Sequence, residues 1–228
     1  MSLRKEKKMK RFMIILATIL TMVMPSTFTN ATDAPKILLI LRGDPRPEYI
    51  DTVLTKESGV MKIMLEKAGF KVVAATTNGL PIKGSTVTLT PDLKLSDVKV
   101  DDYAGIIIPC FGAGGALPST QVSPIAVSIT KQAITQGKPV AVSDASVIIL
   151  AEAGVLVGRR YGCSVDPLGI GRRPDDRFTG AIYGGTGVVQ DGNIITCGVC
   201  PLVTESEGLP DCTTELTQAF IAALTATK

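Results

Sequence analysis

The feature that most constrains this chain is an apolar strand that turns sharply into a helix. Gly137 to Gly154 reads GKPVAVSDASVIILAEAG. Val140-Ala141-Val142 is short and β-branched enough for a central parallel strand. Asp144, Ala145 and Ser146 are small or polar, and Val147 to Ala153 is apolar enough for a buried helix. A residue at such a turn is held at the carboxyl edge of the sheet, beside the backbone N–H groups of a helix N-terminus. Open α/β sheets bind their ligands at that edge. Enzymes with this arrangement usually place a nucleophile at the turn, and this chain places Asp144 there.

The rest of the chain repeats the same alternation. Pro35 to Leu41 reads as a buried first strand, and Arg42 to Glu48 as a loop. From Thr52 to Ala68 apolar residues fall at helical spacing, and Gly69 ends that helix. Phe70 to Ala75 is a second strand, Ser85 to Thr90 a short exposed one, and Ala104 to Pro109 a third core strand. Cys110 to Pro118 is a glycine-rich loop without the Lys and Ser/Thr of a phosphate loop. Ser119 to Gln136 reads as a helix and Arg159 to Thr179, with five arginines, as a surface excursion. Asp191-Gly192 joins Gly184 to Val189 and Asn193 to Cys197 as a hairpin, and Thr213 to Leu224 closes the chain as a helix. Strands alternating with helices predict a three-layer α/β/α sandwich, flavodoxin-like, with a mainly parallel sheet.

Residues 1 to 34 read differently. Six basic residues precede the apolar run Phe12 to Met24, and small residues follow to Ala31. That is the layout of a secretory leader, with cleavage expected after Ala31 and export to a periplasmic or extracellular space. An uncleaved anchor is the alternative, and the only membrane association expected. The leader holds six of the 24 Lys+Arg and two of the 21 Asp+Glu, leaving 18 and 19 in residues 35 to 228, a charge of −1. The overall charge of +3 therefore gives no support for nucleic-acid binding. Residues 35 to 228 suffice for one domain with a sizeable core.

No histidine occurs anywhere, which excludes Ser-His-Asp and Cys-His catalysis and removes the commonest zinc ligand. All five cysteines follow the leader, where disulfides form if the chain is exported. Cys197-x-x-Cys200 is open to a redox, metal or stapling role, and a Cys200–Cys212 disulfide would pin the last helix.

The element order and three landmarks resemble the ThiJ/PfpI superfamily, with its class I glutamine amidotransferase-like fold. Its members include intracellular proteases, deglycases, glyoxalase-like lyases and isocyanide hydratases. The first landmark runs from Gly137-Lys138-Pro139-Val140-Ala141 through Ala153-Gly154-Val155-Leu156-Val157-Gly158-Arg159. The second is Asp191-Gly192-Asn193-Ile194-Ile195-Thr196, and the third is Glu57, twelve residues before Gly69. The resemblance puts Asp144 at the family's cysteine nucleophile and Glu57 at its glutamate. It puts Cys110-Phe111, followed by Gly112, where the family has paired glycines. The family's histidine would fall in the arginine-rich segment, which has none.

The implied site groups Asp144, Glu57 and Cys110 as candidate catalytic residues, with Gly112, Ala145 and Cys197 as candidate ligand contacts. The leading expectation is a degenerate pocket in which Asp144 caps the following helix, in a protein that binds a small molecule or a partner protein. The alternative is a hydrolase or lyase acting on a small carbonyl or amide. In it, Glu57 and Asp144 would share a proton as an acid–base pair and Cys110 would be a displaced thiol. A metal site of Glu57, Asp144 and Cys110 is a third possibility, although neither a metal nor another cofactor is part of the leading expectation. Family resemblance also makes a homodimer an expectation.

Overall fold

The computed structural model describes residues 33–42, 47–110, 121–170 and 173–226. The leader, apart from its last two residues, lies outside them, as do Gly112 and most of the glycine-rich loop.

Seven strands form one sheet. These are β1 (Lys36–Leu41), β2 (Lys71–Thr76), β5 (Leu93–Lys94), β6 (Gly105–Ile108), β7 (Val140–Ser143), β10 (Val189–Asp191) and β11 (Ile194–Cys197). Their order across the sheet is β10-β11-β7-β6-β1-β2-β5. All neighbours run parallel except β10, which returns antiparallel on β11 through the Gly192 turn. The expected mainly parallel α/β fold is therefore present.

Alternation along the central strands builds the three layers. Ile37, Leu39 and Leu41 face one side of β1, with Ile107, Ala141 and Ile195 beside them. That side is covered by α2 (Ser58–Lys67) and α6 (Thr213–Ala226), which contribute Met61, Leu65, Leu216 and Phe220. Leu38 and Ile40 face the other side with Ile106, Ile108, Val140 and Val142, under α3 (Pro124–Thr135) and α4 (Ile148–Glu152). Each of the larger side chains contributes about 1.5–3 kcal/mol when fully buried. Strands covered on both faces read as continuous apolar runs, which is why β1, β6 and β7 were legible as core strands.

The helix expected from Thr52 to Ala68 begins earlier, at Pro47 inside the segment expected as a loop, and is not regular. α1 (Pro47–Thr52) leads into a π-helical turn, Val53–Glu57, and then α2. The wide turn breaks the 3.6-residue repeat and turns Glu57 inward, so that it is fully buried. The exposed strand expected at Ser85 to Thr90 is one arm of a two-stranded ribbon, β3 (Ile82–Lys83) with β4 (Thr88–Leu89). α5 (Pro201–Glu207) follows the last strand and ends on Gly208 in the left-handed conformation.

The segment Arg159 to Thr179 is not the surface excursion its arginines suggest. Its β8 (Arg160–Tyr161) pairs in parallel with β9 (Ile182–Tyr183), and Tyr161, Cys163 and Phe178 are buried. The Tyr161 and Phe178 ring centroids lie 5.2 Å apart. Arg177 turns back on buried Asp175, with Nη2 2.6 Å from Oδ2. Charge on the arginines thus says little about where the aromatic residues between them go.

Gly198, just past β11, is where this segment meets the sheet. A Cβ at 198 would lie 2.4 Å from the Cys163 carbonyl carbon and 2.8 Å from the Ser164 nitrogen. Gly198→Ala must push that backbone away, so it should lower stability by about 1–3 kcal/mol. A urea titration checks this as a lower midpoint at unchanged slope. Gly187→Ala, where an added methyl meets nothing within 4 Å, should stay within about 0.5 kcal/mol of the wild type.

Candidate functional site

Three adjacent strands, β6, β7 and β11, end side by side, and register decides what they present. Ile108 pairs with Val142, and Cys197 with Ser143. Two residues beyond the first pair, Cys110 and Asp144 therefore stand level at the rim. Cys200 follows the end of the third strand and reaches the same point.

Asp144 opens a 3-10 turn, Asp144–Val147, between β7 and α4. It is the one non-glycine residue of positive φ, at 38°, among the described residues. Such a conformation costs on the order of 1 kcal/mol. The turn is anchored by the Ser146 hydroxyl, which donates to the Pro109 carbonyl at 2.7 Å.

The Asp144 side chain is 5% exposed and surrounded by donors. The Ser164 N–H donates to Oδ1 at 3.1 Å, and the Cys163 thiol lies 3.9 Å from the same oxygen. The Cys110 and Cys200 thiols approach Oδ2 at 3.4 Å and 3.8 Å. No side-chain hydrogen bond caps either the 3-10 turn or α4. Asp144 is therefore not the helix cap expected from sequence: its carboxylate points away from the helix, toward the sulfurs.

Glu57 also reaches the rim, but as a separate group. Its Oε1 accepts the Cys110 N–H at 2.9 Å, and Oε2 has no hydrogen-bond partner among the described residues. Cys110 thus lies between the two acids, its backbone on Glu57 and its thiol on Asp144. No hydrogen bond joins the two carboxyls, so the expected shared-proton pair is replaced by two acids bridged through a cysteine. Burial pushes the Glu57 carboxyl up to about 8. The Cys110 N–H and the looser approach of the Ser143 hydroxyl oppose that rise, while Asp144 and Asp211 add to it.

All five cysteines are free and buried, and each lies within a short chain of contacts from the turn. The Cys200 thiol beside it, then burial, raises the Cys110 thiol well above its ordinary value. Burial pushes Cys163 up to about 12, helped by Asp144. Cys197 lies 3.7 Å from the Ser143 hydroxyl, one residue short of the turn, and Cys212 packs on it. A hydrogen bond from Cys197 lowers Cys212 to about 7. The Cys200–Cys212 disulfide expected from sequence is absent, because the two thiols face different partners.

Of the expected site residues, the structure brings together Asp144, Glu57 and Cys110, with half-buried Ala145 next to Asp144. Cys197 belongs to the neighbouring pair with Cys212, and Gly112 lies outside the described residues. Cys163 and Ser164 were missed, and Cys200 was weighed with Cys197 and Cys212 but not with Asp144. The signal for Cys200 was present: it stands three residues after a strand-end cysteine, beside the central turn.

The model of the DJ-1/PfpI family matches residues 49–201, and the chain belongs to that family. A protein of Archaeoglobus fulgidus described as uncharacterized is 37% identical over 134 residues, 58% of this chain and 74% of the relative. Another such protein, from Methanocaldococcus jannaschii, is 30% identical over 195 residues, 82% of this chain and 89% of its own. A protein of Thermococcus kodakarensis named a deglycase is 32% identical over 134 residues, covering 58% and 75%. Among solved structures, a ThiJ/PfpI domain protein from Brachyspira murdochii shares the fold with a TM-score of 0.62 at 19% identity, covering 86% of this chain and 99% of its own.

Folded Glu57 holds its proton to about pH 8, against 4.5 ordinarily. Its contribution to stability is therefore full below pH 4.5 and is lost as pH rises toward 8. Every tenfold difference in proton affinity between the folded and unfolded chain is worth about 1.4 kcal/mol. Glu57→Gln carries no such loss, so thermal melts at pH 5 and pH 8 should show the variant gaining a few kcal/mol at most on the wild type. Separately, iodoacetamide labelling near pH 7.5 should mark Cys212 before the other four cysteines, as read by peptide mass spectrometry.

Proposed function

We propose that this chain is a DJ-1/PfpI-family binding protein, in which the rim holds a small ligand and thiol nucleophile chemistry has been given up. The observation that carries this reading is the engagement of Asp144. Both of its oxygens already face donors, and its side chain is almost wholly buried. A nucleophilic carboxylate must present a free lone pair to its substrate, and release of the resulting ester needs an activated water. The chain has no histidine to activate one, and Glu57 stands behind the Cys110 backbone. Cys110 itself is held protonated by its surroundings, which opposes a role as displaced nucleophile.

The competing reading, a hydrolase or lyase acting on small carbonyl or amide substrates, draws on relatives named deglycases at 31–32% identity. Purified protein incubated with glyoxal, methylglyoxal and a short amide separates the two. Wild type and Asp144→Asn should be equally inactive. Wild-type turnover that falls by roughly 100-fold or more in the variant, the scale of a lost catalytic group, would replace binding with catalysis.

The basic, apolar, small-residue leader supports export as part of the same proposal. Amino-terminal sequencing of protein recovered outside the cytoplasm should begin at Thr32, and an intact Met1 terminus there would argue for an anchor.

A further inference from the structure

We infer that the rim ligand is a thiophilic cation of the zinc type, bound by Cys110 Sγ, Cys200 Sγ and Asp144 Oδ2. This deepens the binding reading and rests on it.

The donor atoms of these three residues all lie within 4.8 Å of one another, and all three residues are buried. A tetrahedral ion bonded at about 2.3 Å to sulfur and about 2.0 Å to oxygen sets sulfur–oxygen edges near 3.5 Å. The observed separations are 3.4 Å for Cys110 and 3.8 Å for Cys200. Both sulfur–oxygen edges are thus close to what such an ion requires, and the two sulfurs lie within 4.8 Å of each other, so binding needs loss of the thiol protons to solvent and only small side-chain adjustments.

The two oxygens of Asp144 divide the work. The Ser164 N–H and the Cys163 thiol occupy Oδ1, which fixes the carboxylate plane; Oδ2 faces the Cys110 and Cys200 thiols, whose protons the ion would replace. An outer group that orients a ligand in this way is a usual part of a metal site. Two sulfurs with one oxygen select against magnesium and calcium, which take oxygen donors, and favour zinc or its close neighbours. Three protein donors leave the fourth tetrahedral corner open to water or a small polar ligand. Glu57 is not among the donors, so the set differs from the one its position beside the rim suggests.

The test uses the full chain, reduced, stripped with chelator, and titrated with zinc or cobalt. One equivalent should remain after dialysis by elemental analysis. The cobalt form should show sulfur-to-cobalt charge-transfer bands with the intense d–d bands of a four-coordinate ion. Cys110→Ser, Cys200→Ser and Asp144→Asn should each weaken binding by at least about 100-fold, beyond the 10–100-fold typical of an outer partner. Cys212→Ser, outside the donor set, should bind as the wild type does. Cobalt held without charge-transfer bands, or bands unchanged in Cys200→Ser, would overturn the assignment. Should the serine variants fail to fold by circular dichroism, the wild-type cobalt spectrum and Asp144→Asn decide. Absence of a thiolate spectrum without dicarbonyl turnover would sink the metal alone, whereas turnover dependent on Asp144 in metal-free protein would sink the binding reading beneath it.

Discussion

Ile108 opposite Val142 and Cys197 opposite Ser143 are the two register pairs on which the rim depends. Because strand side chains alternate, a slip of one residue in either pairing would turn a buried face outward and carry the rim residues with it. The isoleucines of β6 and the valines of β7 make such a slip expensive, since both faces of these strands are covered. The apolar layers thereby hold three polar groups from distant parts of the chain within a few ångströms. A positive φ at Asp144 persists on the same account: the turn is fixed at one end by the sheet and at the other by Ser146 on Pro109.

The central part of this arrangement was legible in the sequence. PKILLIL, AGIIIP and KPVAVS are continuous apolar runs with no other home than buried parallel strands, and the strand-to-helix turn at Asp144 followed from them. Glu57 and Cys110 were placed at the rim by the family resemblance and topology together. The thiol shell was not legible, and the reason is physical. Cys163 arrives from a segment whose arginines mask the burial of Tyr161 and Phe178. Its approach depends on Gly198 admitting the Cys163 backbone, a contact between residues 35 positions apart that no local pattern encodes. Cys200 stayed open to a redox, metal or stapling role with Cys197 or Cys212, because spacing within a chain says nothing about which way a sulfur faces.

The capping expectation failed for a related reason. An aspartate at a helix start usually satisfies the helix's own N–H groups. Here the positive φ rotates the carboxylate out of the helix, and the donors it meets come from the end of β6, the segment after β8, and the residues after β11. The same displacement separates the two acids. Glu57, set by a π-helical turn rather than a regular one, meets the Cys110 backbone and not Asp144 itself. A carboxyl pair sharing one proton would need the two in direct contact. The bridging cysteine separates the two acids, which then interact only through space, one neutral across much of the physiological range and one facing sulfur.

Five free thiols around one turn also bear on the proposed export, because an oxidising compartment selects for pairing. Cys197 and Cys212 already share a hydrogen bond, and Cys110 and Cys200 stand side by side. A disulfide draws its sulfurs to about 2 Å, which would pull Cys110 and Cys200 together and off the carboxylate they now both face. A cation between them would keep the sulfurs from bonding to each other and leave Asp144 as the third donor. The sulfur–oxygen separations of 3.4 Å and 3.8 Å, with a tethered second oxygen behind, suit the second arrangement. Bound cation would also hold both sulfurs as ligands and so shield them from oxidation. On the proposed reading, a filled site would make the sulfur around Asp144 compatible with export, and a rim that binds a cation would need no histidine.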